Sequence, residues 1–433
     1  MLRATTFFSK NSDALLKSVV STIQCSHGSN VAYCVPANLP TDHLSSLVTH
    51  LSKSGRHTAG CIAAPFPSGL GQYSCSVLEM STSISSPFVS NVPGRPTVQV
   101  GRYHHMHTNR HQKSDEAWQR KMDQTLSGKQ DRTGPDVTSY LEPDTSVPPG
   151  LKHLQNKRTI FFFTDLQSEG LISLLDRHFL NYNKFGLVAS STPFITGRPV
   201  TMFRNLKIVS EGAVGFSISN DSYLVAQGCD GLEAVGPPFK VTGTQSNLIH
   251  SLNDKNPTAL LLNELSVTNS NAVNSHFDPR DVDYMVGVLT PDNTVVRISR
   301  ITAGDPKRGA LSLDAESAPA LGTPVQFFRR RSEEGYGHAR GSPVDKMTKH
   351  SVVGPSTLLS PVAELGYFTV DDELGHTAPS ADTESSVTIV NDRFFHASEN
   401  GFFSNFDPLS PDISQRIWKH SVAGSWARVG LIS

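Results

Sequence analysis

Apolar positions follow two periods along this chain, and the switches between them outline its elements. A helical period runs through Leu15, Leu16, Val19, Val20 and Ile23, with Ser12 placed to cap it, and a second amphipathic helix is predicted from Thr41 to Ser54. Asn30 to Val35, Gly60 to Ala64 and Tyr73 to Met80 have strand length and composition. The continuous run TIFFFTDL from Thr159 reads as a buried strand. A helix from Ser168 to Phe179 follows it, with Leu171, Leu174 and Leu175 on one face. Strands at Lys184 to Ser190, Pro199 to Arg204, Lys207 to Val209, Ala213 to Ile218 and Tyr223 to Gly228 then succeed one another closely. That spacing predicts antiparallel pairing, because a parallel crossover needs a dozen or more residues. Asn256 to Leu265 reads as a helix capped by Asn256 with Pro257 in its first turn. Further strands are expected at Asp283 to Leu289, Thr294 to Ile301, Thr323 to Arg329 and Val387 to His396.

The periods dissolve twice. Residues 101–157 are charged and rich in His, Pro and Gly, and read as a disordered insertion with one transient helix around Trp118. Residues 331–385 read as a second, low-order insertion, although Ser360 to Val370 is apolar enough to dock locally. Composition agrees: only 37% of the 433 residues are hydrophobic and 18% are charged, so part of the chain is expected to stay unpacked. A net charge of −1 gives no field for nucleic acid, which is not expected as a partner. No apolar run approaches the roughly 20 residues of a transmembrane segment, and a soluble chain is expected. Five cysteines without CxxC pairs argue against zinc ribbons and secreted scaffolds and fit a reducing compartment. Residues 1–12, MLRATTFFSKNS, carry Arg3 and Lys10, no acid, and hydroxyls among Leu2, Phe7 and Phe8. This is the composition of a mitochondrial targeting segment, which makes the matrix the expected compartment and the cytoplasm the alternative.

Several runs, in order, resemble the FIST domain: FGLVASSTPFITGRPVTMFRNLKIVSEGAVGFSIS from Phe185, YLVAQGCDGLEAVGPPFKVT from Tyr223, and PTALLLNEL from Pro257. The similarity continues through DVDYMVGVLTPDNTVVRISRITAGDPKRGALSL, TPVQFFRR, NGFFSNFDP and KHSVAGSWARVGLIS. FIST domains occur in bacterial sensory proteins and in eukaryotic F-box proteins that recruit ubiquitylation substrates; the residues ahead of the resemblance do not read as an F-box, so the adaptor role is not expected to transfer automatically. The resemblance implies an α/β (α+β) fold: two FIST-like halves with largely antiparallel or mixed sheets covered by helices and interrupted by the two insertions. The FIST-like parts are 13–100, 158–330 and 386–433. The family's Gly-Cys-Arg-Pro turn is altered, since Gly228 and Cys229 lead into Asp230 and a longer loop without the arginine. The family's late acidic turn residue is replaced by Asn405 and Phe406 in SNFDP.

The resemblance implies non-catalytic recognition of a small polar metabolite, amino acids among them, in a sensory or signalling role. The alternative is an interaction scaffold or substrate-recruiting adaptor that meets a protein partner through the FIST surface and the insertions. Candidate ligand contacts are the hydroxyls of Ser190, Ser191 and Thr192 leaving a strand, the backbone-rich turn at Gly228 and Cys229, and the polar groups Asn400, Ser404 and Asn405. Turn chemistry explains the hydroxyls equally well, and Cys229 reads as a small buried hydrophobe. Phe402, Phe403, Trp418 and Trp426 could line a pocket, with core packing as the default. His104, His105, His107 and His111 have metal-capable spacing but no ordered surroundings, so no metal is expected. HExxH, GxSxG and Walker patterns are absent, and neither a catalytic residue nor a cofactor is expected.

Overall fold

The computed structural model describes residues 1–24, 28–67, 70–92, 151, 154, 157–270, 284–290, 293, 295–304, 309–315, 317–330, 361–371, 386–405 and 417–432. Most of both predicted insertions, the helix around Trp118 and the cluster of His104, His105, His107 and His111 lie outside these residues.

Among the described residues the fold is mostly β, 54% strand against 16% helix, which corrects the expectation of helix-covered α/β halves. The reason is what buries the sheet faces. Strands such as Thr159–Thr164, in which all six residues are buried, look as though they need helices on both sides. Here one side of each is covered by another sheet. A seven-stranded sheet is ordered Lys207–Val209, Met202–Arg204, Thr58–Ala63, Ser29–Pro36, Tyr73–Ser81, Leu2–Ser9, Val387–Asn391. A six-stranded sheet centres on Asn183–Val188, Thr159–Thr164 and Ala213–Ile218, and a four-stranded sheet on Ser425–Leu431 and Ala363–Thr369. The three sheets share one core, in which small side chains of the first (Ala32, Cys34, Ala59, Cys61) face phenylalanines of the second (Phe161, Phe163, Phe185). Small against large lets the layers interdigitate at interior density.

Helices cover only part of the outer faces. Helix Ser12–Thr22 is capped by Asn11, whose side chain accepts from the amides of Asp13 and Ala14, and not by Ser12. It packs with Thr41–Leu51 over Tyr33, Cys75 and Val77. Helix Glu169–His178 seats Leu171, Ile172 and Leu175 on Ile160 and Phe162 of the six-stranded sheet. The remaining strands, Leu232–Gln245, Leu248–Leu252, Tyr284–Leu289, Val295–Gly304, Leu311–Leu313 and Pro324–Arg330, close into a six-stranded barrel with its own core. Closure removes the open edges that a flat sheet of this size would expose.

Two segments differ instructively from their sequence reading. Leu2–Ser9, within the expected targeting segment, is a strand hydrogen-bonded on both sides, with Phe7 and Phe8 fully buried. Ala363–Thr369, within the expected 331–385 insertion, is buried throughout and pairs parallel with Arg393–Ser398 and antiparallel with Ser425–Leu431. The strand expected at Val387 to His396 is two strands, broken at Asp392, whose φ of 58° turns the chain from one sheet into another. Pairing is also not uniformly antiparallel. Thr159–Thr164 runs parallel to Asn183–Val188, as Ser29–Pro36 does to Thr58–Ala63.

Candidate functional site

Those parallel pairs give the fold its functional end. In all three sheets the carboxyl ends of parallel strands arrive together, the place where open sheets of parallel strands commonly take ligands. Ser190 leaves Asn183–Val188 and donates its amide to the Ile62 carbonyl at 3.0 Å, and Ala64 donates to Ala397 at 2.9 Å. The chain after Arg393–Ser398 then supplies Glu399 and Asn400. Asn400 Nδ2 donates to the Ala189 carbonyl at 3.0 Å, to Glu399 Oε1 at 3.1 Å and to Ser191 Oγ at 3.5 Å. The Glu399 carboxylate also accepts the Ser191 amide. Thr192 is held in a threonine cluster, its Oγ1 2.8 Å from that of Thr201, with Thr196 Oγ1 2.7 Å from the same atom.

Beneath this polar rim lie groups without partners. Tyr367 and His396 are register partners on adjacent parallel strands, and their rings meet edge to face at 4.2 Å. Tyr367 is 1% exposed and His396 2% exposed. The Tyr367 hydroxyl, both His396 ring nitrogens and the Ser190 hydroxyl are buried with no hydrogen bond. Burial pushes the His396 ring down to about 3, with the Phe394 backbone a weak offset, so it is neutral at physiological pH. Burial likewise holds Tyr367 protonated.

Thus Ser190, Ser191, Thr192 and Asn400 are brought to one end of the sheets, Gly228 and Cys229 reach the same end of the four-stranded sheet with two strands between them and Arg393–Ser398, and Ser404 and Asn405 lie beside Phe185 and Lys184 at the opposite end of their strand. Ser404 is buried deeper, its Oγ 2.9 Å from His420 Nε2, and Phe402 stacks on that ring at 4.5 Å. The spacing is that of a nucleophile and its base. Burial and then the Arg297 charge push His420 down to about 3, however, far too weak to take a serine proton near neutrality. Asn405 is a strut: its Oδ1 accepts the Lys184 amide at 2.8 Å and its Nδ2 donates to the Tyr182 carbonyl at 2.9 Å. Gly228 lies against the Trp426 ring, where a Cβ would stand 3.1 Å from it. Cys229 pairs with Ser425 at the same end of the four-stranded sheet, where Gly424 donates to the Thr369 carbonyl at 2.7 Å, and its thiol is pushed up to about 12 by burial. The C-terminal aromatics do not share a pocket: Phe402 and Phe403 belong to cores on opposite faces of their sheet, and Trp418 fills the barrel with the Arg297 guanidinium 4.5 Å above its ring.

Sequence reasoning missed His396, Tyr367 and Glu399. One signal was available, a histidine inside the apolar strand RFFHAS, where an ionisable ring is out of place. Among the described residues no group of three His, Cys, Asp or Glu could hold a metal ion, and no helix is long and apolar enough to cross a membrane. Compared with known families, residues 37–255, just over half of the chain, match the FIST N domain. No curated protein matches the chain.

Proposed function

This chain belongs to the FIST family, and from that premise we propose that it senses a small polar ligand held where the carboxyl ends of its three sheets meet. FIST domains serve sensory and signalling roles, and the reading is non-catalytic. The observation that carries it is the set of unpaired buried polar atoms on Ser190, Tyr367 and His396. Each such group costs about 1–3 kcal/mol when left without a partner, and a ligand bearing complementary donors and acceptors returns that energy as affinity. Glu399 and Asn400 at the rim offer an acceptor and a donor for the ligand's outer end. Native mass spectrometry of the full chain, before and after denaturation, tests this. The expected result is an excess mass that leaves on denaturation and is absent from Tyr367→Phe combined with Ser190→Ala. A bare mass, together with a melting temperature unmoved by a panel of amino acids, carboxylates and amines, overturns it.

We also propose a mitochondrial address, supported by the composition of residues 1–12. Because Leu2–Ser9 is an inner strand, the proposal takes the form of import without removal of this segment. Full-length chain recovered from mitochondria with residues 2–9 intact is the expected result. Recovery from the cytosol alone overturns it.

A further inference from the structure

Beyond the threonine cluster of the proposed site, whose Thr196 also lines the groove described next, the seven-stranded sheet finishes on an open side. Its outermost strand, Lys207–Val209, pairs with Met202–Arg204 and, among the described residues, has no neighbour beyond. The hairpin turns through Asn205, with φ of 52°, and Leu206, so Arg204 and Lys207 close it as a bonded pair. By the alternation of antiparallel ladders, Ile208 then directs its amide and carbonyl outward, to the open edge. Ile208 lies opposite Phe203, on the helix face of the sheet. There it borders a groove of about 290 Å³ between the hairpin and helix Thr41–Leu51, with Leu44 and Phe203 inside and Ile195 and Leu206 on its margin. Leu206 is 65% exposed and Ile208 51% exposed.

The opposite face of the same two strands carries a different signal. Arg204 and Lys207 stand directly across from each other, and like charges so placed repel unless an anion joins them. Among the described residues neither makes an ion pair. The positive field extends to the next strand. His57 is pushed down by its partial burial and then by Arg56 and Arg204. An open edge, an apolar groove on one face and unneutralised cations on the other specify what completes this sheet.

We infer that the edge docks an extended segment of a protein partner in which acidic and apolar residues alternate, added as a strand beside Lys207–Val209. Main-chain bonds to Ile208 supply the pairing. Strand alternation then sorts the side chains: the residue across from Ile208 enters the groove, and its neighbours on the other face place carboxylates beside Lys207 and Arg204. The competing role for Lys207 is protective, since a lysine on an edge strand also discourages pairing.

The test is fluorescence anisotropy of the full chain with two labelled octapeptides, one alternating Glu and Val and one alternating Lys and Val. The Glu–Val peptide is expected to bind, more weakly as salt is raised, and the Lys–Val peptide at least about tenfold more weakly. Lys207→Glu keeps the hairpin, because Glu pairs with Arg204, and is expected to erase or reverse the preference. Ile208→Pro, which removes the outward amide, is expected to weaken binding by about tenfold or more. Equal binding of both peptides, no binding at about 1 mM, or a preference unchanged in Lys207→Glu overturns the proposal. Self-association of the chain that Ile208→Pro abolishes also overturns it and assigns the edge to a second copy.

Discussion

Acid should unfold this protein through two histidines. His396 and His420 are buried, and both rings are pushed from an ordinary value of 6.5 to about 3. For a base whose folded pKa is depressed, the unfolded chain binds the proton first. Stability is therefore full above pH 6.5, falls as pH drops through that value, and stops falling near pH 3. Each pH unit in that window removes about 1.4 kcal/mol per ring, so near pH 5 each ring has withdrawn about 2 kcal/mol and the pair about 4 kcal/mol. Against a total stability of about 5–15 kcal/mol that loss is decisive. The buried carboxyl of Asp165 and the half-buried one of Glu169 act with the opposite sign, since burial raises them and the native state takes their protons more readily. Comparing variants separates the two effects. Urea unfolding followed by circular dichroism near pH 7 and near pH 5 should show wild type losing about 2 kcal/mol more than His396→Leu, and similarly for His420→Gln. His396→Leu should also be no less stable than wild type near pH 7, because it removes two buried ring nitrogens that lack hydrogen bonds and keeps an apolar side chain against Tyr367 and Phe394. An acid-induced loss identical in wild type and His396→Leu would falsify the burial argument and the neutral-ring description of the site.

Other consequences can be measured with the same protein. Removing residues 1–9 takes out an inner strand and should abolish cooperative unfolding, while Phe8→Ala alone should cost about 3–5 kcal/mol in urea denaturation. Gly215→Ala should fail to accumulate as folded protein on size exclusion, since its Cβ would stand 2.2 Å from the Phe161 carbonyl oxygen of the neighbouring strand. Glu364→Gln breaks a buried ion pair with Arg428, bonded at 2.7 and 3.1 Å, and should lower stability by about 3–5 kcal/mol in the same assay. Cys229, its thiol pushed up to about 12, should react slowly with iodoacetamide near pH 7.5 and quickly once unfolded; rapid native labelling would refute its description as an inert buried thiol.

Much of the local structure was legible because local periodicity wrote it. The helix at Thr41, the run TIFFFT and the hairpin strands from Met202 to Val209 lie where the pattern puts them. What escaped has a common cause, a local pattern with two physical meanings. LRATTFFS is cationic, hydroxylated and apolar, which suits a targeting helix; it is also rich in β-branched and aromatic residues, and pairing with Tyr73–Ser81 and Val387–Asn391 decides for the strand. AELGYFT sits among Ser, Pro and acids, and only its distant partners at Arg393–Ser398 and Ser425–Leu431 make it a strand. Leu232–Gln245 contains Gly236, Pro237 and Pro238, which argue against a strand. It tolerates them because the ladder to Pro324–Arg330 slips between Val235 and Phe239, where Gly236 adopts a φ of 72°. The fold-class error is of the same kind: apolar runs report that both faces are buried and not what buries them.

The candidate site divides along that line. Ser190, Ser191, Thr192 and Asn400 were legible because hydroxyls and amides at strand ends mark backbone groups that need partners, wherever the strand leads. Tyr367 and His396 were not, because each is one polar group in an otherwise apolar strand, and what makes them a pair is a parallel register between segments 29 positions apart. A polar side chain that periodicity places in the core must find a partner, be neutralised by its surroundings, or await a ligand. Here the surroundings neutralise His396 and leave its nitrogens, the Tyr367 hydroxyl and the Ser190 hydroxyl unbonded. Three such groups at the meeting of three sheets would be an unforced loss of stability in a purely structural core. Their place next to the polar rim is the physical reason to look for the ligand there; Cys229, at the same end of the four-stranded sheet, is already engaged, since Ser425 donates to its sulfur at 3.5 Å.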